Sequence, residues 1–150
     1  DVLENIERYS AANNHYVFEI TETIEMDQIP AVQNVFKEFV KNDFRFAIDD
    51  FGTGYSNYGY MRDRTFDIVK VDRSFVTDID KLKDNYLMVS FIIKMAHEMG
   101  LHVCIEGVET KEELSCVKKL GADYIQGYYY GKPVCLQDFE EQHLKRFVLG

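Results

Sequence analysis

The segment FRFAIDDFGTG, residues 44–54, joins an apolar strand pattern to two adjacent acids and a glycine-rich turn. Phe46-Ala47-Ile48 runs directly into Asp49-Asp50. Two neighbouring carboxylates repel each other and are costly to bury unpaired, and a divalent cation removes that cost. The alternative is a helix-capping acid followed by a solvated acid in the next loop. The glycines that follow indicate a loop that bends tightly or moves, which favours a functional site.

The same organisation continues on both sides of this segment, where short β-branched or aromatic runs alternate with amphipathic stretches. The runs predict strands over residues 15–20, 44–49, 67–72, 102–106 and 123–126. The amphipathic stretches predict helices over residues 29–41, 85–99 and 110–121. In the last of these, Thr110 and Glu113 have capping-box spacing and Gly121 ends the helix. This alternation predicts an α/β domain with a parallel sheet.

Nearly every predicted strand ends in polar residues, which in parallel α/β folds are the functional positions. The sheet could be open and doubly wound, or closed into a barrel. A dinucleotide-binding turn needs a third glycine, which Phe51-Gly52-Thr53-Gly54 lacks. Polar groups spread over five strand ends favour a barrel mouth instead. A barrel of eight units typically needs ~250 residues, so we expect most of a barrel whose first strands are missing.

Lys70 interrupts the apolar strand Ile68-Val69-Lys70-Val71-Asp72. Alternation places it on the same face as Asp72. A lysine on a buried strand needs carboxylate partners, and next to metals it polarises a water. The local sequence by itself favours the structural interpretation, an edge lysine or a pair with Asp72.

Two later strand ends also carry polar residues. Glu106 follows an apolar run and precedes Gly107, a position that suits a cation ligand or a general base. Gln126 ends the last predicted strand and precedes the aromatic run at residues 128–130. These tyrosines suit stacking on a base, although such runs more often pack at a rim.

The composition excludes several classes of protein. The net charge is −9 over 150 residues, so we expect no nucleic-acid polymer and no anionic membrane surface as partner. No apolar stretch approaches the roughly 20 residues of a membrane span. The start of the chain lacks a signal-peptide pattern, and three scattered cysteines indicate a reducing cytoplasm. Four histidines without ligand spacing disfavour zinc, whereas oxygen ligands favour magnesium or manganese.

Five ordered segments resemble the signature blocks of a single family. They read FEITET (18–23), DDFGTGYS (49–56), VKVDRSFV (69–76), IEGVET (105–110) and GADYIQGYY (121–129). In this order they resemble the EAL-domain family, cyclic di-GMP-specific phosphodiesterases built on a modified TIM (β/α)8 barrel. Lys132-Pro133 resembles the closing motif of the same family, so the resemblance extends over residues 18–133.

The resemblance implies a site for two divalent cations, Mg²⁺ or Mn²⁺. It implies that Glu19 binds the first cation, that Asp49 bridges both, and that Asp50 binds the second. Glu106 is implied to bind the second cation and to be the candidate general base.

The resemblance also implies roles around the attacking water and the neighbouring loop. Lys70 is implied to hold that water, which reverses the structural interpretation above, and Gln126 to support the same water network. Glu22 is implied to anchor the mobile loop 50–57, which in the family links the metal site to dimerisation. The implied reaction is hydrolysis of cyclic di-GMP to linear pGpG, in a homodimer whose longer chain carries sensory or GGDEF-type domains.

The chain departs from the family pattern in what it lacks. The Glu-Ala-Leu tripeptide, its nearby arginine and an asparagine ligand are absent, and Asn57 stands in place of a usual serine. We therefore expect residues 1–150 to be a partial EAL domain whose first strands lie upstream, and we expect this fragment alone to be inactive. A non-catalytic cyclic di-GMP receptor or interaction module is the alternative. A glycosidase is disfavoured, because adjacent Asp49 and Asp50 cannot flank a sugar bond from opposite sides.

Overall fold

Strands and helices alternate along the chain in the computed structural model, which describes residues 16–21, 30–53, 66–139 and 141. In chain order the elements are β1 (Val17–Thr21), α1 (Pro30–Lys41), β2 (Arg45–Phe51), β3 (Ile68–Val71), a 3₁₀ helix (Arg73–Phe75), α2 (Lys83–Glu98), β4 (His102–Ile105), α3 (Lys111–Leu120), β5 (Tyr124–Ile125) and α4 (Leu136–Phe139).

The five strands form one parallel sheet in the order β1-β2-β3-β4-β5. In a doubly wound sheet the strand order reverses at a switch point. Here each strand pairs with the next one along the chain, as in a (β/α)8 barrel. The predicted parallel α/β architecture is therefore confirmed, with five strands at the predicted places.

The middle of the sheet is the most deeply buried part of the described chain. All four residues of β3 are buried, including Lys70. Helix α2 packs against the neighbouring strand β4 and buries one apolar face, made of Val89, Ile92, Ile93 and Ala96. Strand β3 has a paired strand on each side, so Lys70 lies in the interior of the sheet and not at an edge.

Phenylalanine rings pack α1 against β1 and β2. The ring centroid of Phe36 lies 4.0 Å from that of Phe46, and Phe18 meets Phe39 edge-on at 4.9 Å. The apolar face of α1 is narrower than its pattern predicts, because Val35 on the same helix is 56% exposed. The aromatic residues therefore dock this helix.

Strand ends differ from the predicted ones at two places that bear on the site. Strand β2 extends to Phe51, so Asp49 and Asp50 lie within it, and its register with β3 shifts between Ile48 and Phe51. Strand β5 contains two residues, because Asp123 before it uses its side chain to accept a hydrogen bond from Val103 N–H of β4.

Helix α3 begins and ends as its sequence predicts. Thr110 and Glu113 form a capping box, and Gly121 closes the helix at φ 90°. The carboxylate of Glu113 also accepts hydrogen bonds from Glu109 N–H at 2.9 Å and from Asp78 N–H at 3.2 Å. Glu113 thus ties the loop after β4 to the turn after β3.

The described residues contain no helix that is both long enough and apolar enough to cross a membrane.

We expect Glu113→Gln to destabilise the protein in a pH-dependent way. Burial opposes the charged form, but backbone hydrogen bonds from Glu109, Thr110 and Asp78 outweigh it and hold the pKa of Glu113 below its ordinary value. A depressed pKa stabilises the fold above the unfolded-state value, and the benefit is lost as the pH falls through the folded-state value. The variant should lose about 1–2 kcal/mol at pH 7.

Urea unfolding of the variant and the parent protein between pH 7 and pH 3 tests this prediction. The difference should shrink towards acidic pH. Glu112→Gln, on the same helical turn, is the charge-matched control and should change stability little. A loss that is equal at both pH values would show that the charge of Glu113 is unimportant.

Candidate functional site

One ammonium group gathers three carboxylates at the carboxyl end of the sheet. Lys70 Nζ lies 2.8 Å from Glu19 Oε2, 2.9 Å from Asp49 Oδ1 and 2.8 Å from Glu106 Oε1. These acids come from β1, from β2 and from the residue directly after β4. The cluster therefore joins four consecutive strands of the barrel-like sheet.

Parallel pairing brings these four residues together. In β1 and β2, Thr21 pairs with Asp49, and in β3 and β4 Lys70 pairs with Cys104. The carboxyl ends of all four strands therefore lie at one end of the sheet, and β3 occupies the middle. The long side chain of Lys70 extends from there towards acids on both sides, which the short local sequence cannot reveal.

The charges in this cluster act on one another strongly. Burial opposes the charged form of Lys70, but the contacts with Glu106, Glu19 and Asp49 outweigh it and raise the pKa of Lys70 above its ordinary value. Burial also raises the pKa of Glu106, and the charges of Asp49 and Glu19 add to that effect while Lys70 opposes it. The two pKa shifts have a common cause. Three carboxylates stabilise the charged form of one ammonium, whereas that single ammonium does not offset the burial of Glu106 and the repulsion from the other two acids.

The thiol of Cys104 lies close enough to this cluster for its pKa to be affected by the same charges. Burial raises the pKa of Cys104 to about 11, and the charge of Glu106 adds to the effect. Cys104 is therefore a neutral thiol at neutral pH.

Asp50 stands in an unusual backbone conformation beside the cluster. Its φ is 54°, a left-handed value that non-glycine residues rarely adopt. Thr53 holds the turn that follows, since its hydroxyl donates to Asp50 O at 2.9 Å. Asp49, Asp50 and Glu106 each place one carboxylate oxygen within 4.8 Å of the others.

The donor set fits a hard divalent cation. Asp49 Oδ1 is buried, and the Lys70 ammonium 2.9 Å away is shared with Glu19 and Glu106. A group of partly buried carboxylates with a single positive charge among them is costly. Carboxylate oxygens are the ligands that Mg²⁺, Mn²⁺ and Ca²⁺ prefer. Three carboxylates contact the ammonium and Asp50 lies near two of them, so added positive charge would relieve the repulsion among the four acids.

The structure brings together five of the residues named from the sequence, Glu19, Asp49, Asp50, Lys70 and Glu106. Gln126 lies at the next strand end, where its backbone N–H donates to Ile105 O at 2.9 Å and its side chain is exposed. Glu22 and residues 54–57 of the predicted loop lie outside the described residues.

The pairing of Lys70 with Asp72 considered above is wrong. Asp72 instead caps the 3₁₀ helix, where its Oδ1 accepts a hydrogen bond from Ser74 N–H at 2.9 Å. The chain turns directly after β3, so Asp72 no longer follows the alternation of the strand.

An open cavity of about 780 Å³ adjoins the acidic cluster and shares Glu106 with it. Gln126, Tyr128 and Tyr130 line it, together with two cations, Arg73 and Lys132. Arg73 was not predicted as a lining residue, although its position just beyond a strand end is one where functional residues of such folds occur.

The tyrosines at residues 128–130 are exposed, and Tyr128 and Tyr130 line this cavity. Lys132 Nζ lies 5.4 Å from the ring centroid of Tyr128, and Tyr129 meets Tyr130 edge-on at 5.4 Å. Cations and aromatic faces together suit a ligand that has both phosphate and flat ring systems.

Comparisons with known proteins agree with this architecture. The family model of the EAL domain matches residues 1–133. Cyclic di-GMP phosphodiesterase PdeB of Shewanella oneidensis is 35% identical over 131 residues, which cover 87% of this chain and 15% of PdeB.

Two solved structures show the same fold. The EAL domain of Mycobacterium smegmatis DcpA is 27% identical with a TM-score of 0.86, over 96% of this chain and 64% of that one. Klebsiella pneumoniae BlrP1, in a manganese and cyclic di-GMP complex, is 28% identical with a TM-score of 0.78, over 88% of this chain and 34% of that one. The chain spans about a seventh to a third of the length of the curated relatives that it matches.

We expect Lys70→Met to cost about 3 kcal/mol of stability at pH 7, because it leaves partly buried acids without their ammonium. Without Lys70, the already raised pKa of Glu106 rises further. A raised carboxyl pKa destabilises the fold above that value, so the loss should shrink as the pH falls through it.

Chemical denaturation at pH 7 and at pH 5 measures this effect. Lys81→Met is the matched control, since Lys81 forms an exposed ion pair with Asp78, and it should change stability little. A Lys70→Met loss no larger than that of the control would contradict a central role of the ammonium.

Proposed function

The chain belongs to the EAL-domain family, and on that premise we propose that it is part of a domain that hydrolyses cyclic di-GMP to linear pGpG with the help of divalent cations. The observation that carries this proposal is the cluster in which Lys70 meets Glu19, Asp49 and Glu106 at the carboxyl ends of parallel strands. Such strand ends are the catalytic positions of barrel enzymes.

The acids are the proposed cation ligands. Glu19 would bind the first Mg²⁺ or Mn²⁺, Asp49 would be shared by both cations, and Asp50 and Glu106 would bind the second. Buried Asp49 Oδ1, which shares one ammonium with two other acids, supports this assignment. Bound there, the cations supply positive charge that offsets the phosphate charge and lowers the pKa of water.

The remaining polar residues handle the attacking water. Lys70 would donate a hydrogen bond that orients the water once a cation takes over one of its three acids, because those acids otherwise occupy all three N–H groups of the ammonium. Glu106, in contact with Lys70, accepts a proton from that water as general base. Gln126, at the neighbouring strand end, supports the same water network.

The cavity beside Glu106 is the proposed place of the nucleotide. Arg73 and Lys132 suit the phosphates, and Tyr128 suits a base. The net charge of −9 argues against polymeric nucleic acid as substrate.

We propose residues 1–150 as a partial EAL domain. Within the described residues, β1 pairs only with β2 and β5 only with β4, whereas a closed barrel pairs every strand on both sides. The chain spans only about a seventh to a third of the length of its curated relatives. We propose that the longer protein also contains sensory or GGDEF-type domains. Glu22 is the proposed anchor of the loop 50–57.

We also propose a homodimer and a cytoplasmic location. Helix α2 supports the first, since Leu87, Met88 and Phe91 on its outer side are about half exposed. The free thiols of Cys104 and Cys116 suit a reducing compartment.

We expect Lys70→Ala in the full-length protein to lower the turnover of cyclic di-GMP by about 10²-fold, with a much smaller change in KM. The loss arises because the water is no longer oriented, while the nucleotide still meets the cavity. Chromatographic measurement of pGpG formation tests this, with Lys81→Ala as control.

Turnover of Lys70→Ala within a few-fold of the parent protein would make Lys70 structural. Binding of cyclic di-GMP without product by the parent would favour the receptor alternative. Residues 1–150 assayed alone should form no more pGpG than their Glu106→Gln variant, because the glutamate and asparagine ligands implied by the family are absent.

We expect residues 1–150 to bind Mn²⁺ weakly, and Asp49→Asn to weaken that binding by about tenfold or more. The substitution removes the negative charge and replaces one of the two carboxylate oxygens with an NH₂ group, which does not bind cations. Calorimetric titration measures it, and Asp43→Asn is a matched control because Asp43 also has a positive φ but lies at the other end of β2. Tight binding that Asp49→Asn leaves unchanged would contradict the ligand assignment.

A further inference from the structure

A short turn after β3 touches the backbone just after two of the proposed cation ligands, Asp50 at the end of β2 and Glu106 beyond β4. It consists of the 3₁₀ helix Arg73–Phe75 and residues 76–77, and it is called the 73–77 turn below. Asp72 caps it at one end, and Thr77 Oγ1 donates to Arg73 O at 3.0 Å at the other. The turn is thus internally braced and can serve as a rigid support.

Its first loop contact is through the ring of Phe75. Gly52 has φ 97°, and a Cβ atom on it would lie 2.9 Å from Cε2 of Phe75. The ring therefore packs directly on the backbone two residues after Asp50, whose own φ is 54°. Asp50 and Gly52 both have left-handed φ values and lie on either side of Phe51, and the Phe75 ring packs against the second of them.

Its second loop contact is through Arg73. A Cβ atom on Gly107 would lie 2.3 Å from Cβ of Arg73, so the two backbones are in close contact. Gly107 follows Glu106 directly, and its φ of 70° turns the chain there. The same turn therefore fixes the backbone beside Asp50 and beside Glu106.

Asn85 in the first turn of α2 holds the 73–77 turn from outside. Its Nδ2 donates to Ser74 O and to Thr77 O, both at 3.3 Å. One amide group thus satisfies two carbonyls of the turn and connects it to the helix.

We infer that Phe75 and Asn85 are positioning residues for the cation site, because the 73–77 turn keeps the loops of Asp50 and Glu106 at a fixed separation. The inference rests on the proposed function. Neither side chain needs to touch a cation or substrate. Each acts on the ligand geometry through backbone contacts, and outer residues of this kind tune metal affinity strongly.

Calorimetric titration of the full-length protein with Mn²⁺, without substrate, tests the inference. Phe75→Ala should lower the affinity by about tenfold, and Asn85→Ala should lower it in the same direction by less. Phe75→Leu should recover most of the loss, because it restores apolar bulk against Gly52. If Phe75→Ala does not fold, Phe75→Leu and Asn85→Ala carry the test, and Phe75→Leu should then fall between the parent and Asn85→Ala.

Two controls separate positioning from general stability. Met95→Ala truncates a similar half-buried side chain on α2 that packs against the same core. Asn42→Ala removes a side-chain hydrogen bond to Glu38 O at the opposite end of the sheet. Both should keep the Mn²⁺ affinity of the parent within about twofold. Turn variants that do the same, or controls that lose as much affinity, would overturn the inference.

Amide hydrogen exchange without metal gives a second readout. Thr53 N–H bonds to Asp50 O, and Val108 N–H bonds to Gln126 O, so these amides report on the two loops. Both should exchange faster in the turn variants and not in the controls. If the parent protein binds no Mn²⁺, the proposed cation site is contradicted. Faster exchange in the turn variants would then still show that Phe75 and Asn85 hold the two segments in place. Unchanged exchange at both amides would overturn the positioning role.

Discussion

A single buried ammonium, shared by three carboxylates, organises the carboxyl end of this sheet. The acids come from separate strands, and at the observed distances they would repel one another strongly without Lys70. The ammonium can occupy this place because β3 lies between β2 and β4 and its other side chains are apolar and buried. One positive charge among three carboxylates leaves the cluster with a net negative charge, which would favour the binding of cations there.

The backbone around the acids depends on close contacts that only glycine allows. Gly127 packs so near the backbone of Val108 that a Cβ atom would lie 2.1 Å from its carbonyl oxygen. That contact sets the spacing between the strand ends that carry Glu106 and Gln126. The loops are thus held by backbone packing, and their side chains remain available for chemistry.

The two ends of the sheet have different tasks. At the amino end, Asp67 accepts a hydrogen bond from Phe46 N–H, and Asp123 accepts one from Val103 N–H while His97 Nε2 lies 2.8 Å from it. Burial opposes the charge of Asp123, but these hydrogen bonds hold its pKa below the ordinary value. Such acids are satisfied within the fold. Glu19, Asp49 and Glu106 at the carboxyl end instead share a single ammonium, which is the distinction expected between stabilising and functional faces of a barrel.

The sequence by itself determined the parallel α/β class, the places of all five strands and the caps of α3, because these follow from local periodicity and local hydrogen bonds. It also identified Glu19, Asp49, Asp50 and Glu106 as candidates, since polar residues at or near the ends of predicted strands can be recognised in the linear sequence. The partners of Lys70 were decided only by the tertiary structure. Local alternation pointed to Asp72, but the chain turns after β3, and strands distant in sequence bring three acids to the ammonium. The supporting contacts of Phe75 and Arg73 were likewise decided by the fold, because they join loops that are neighbours only in space.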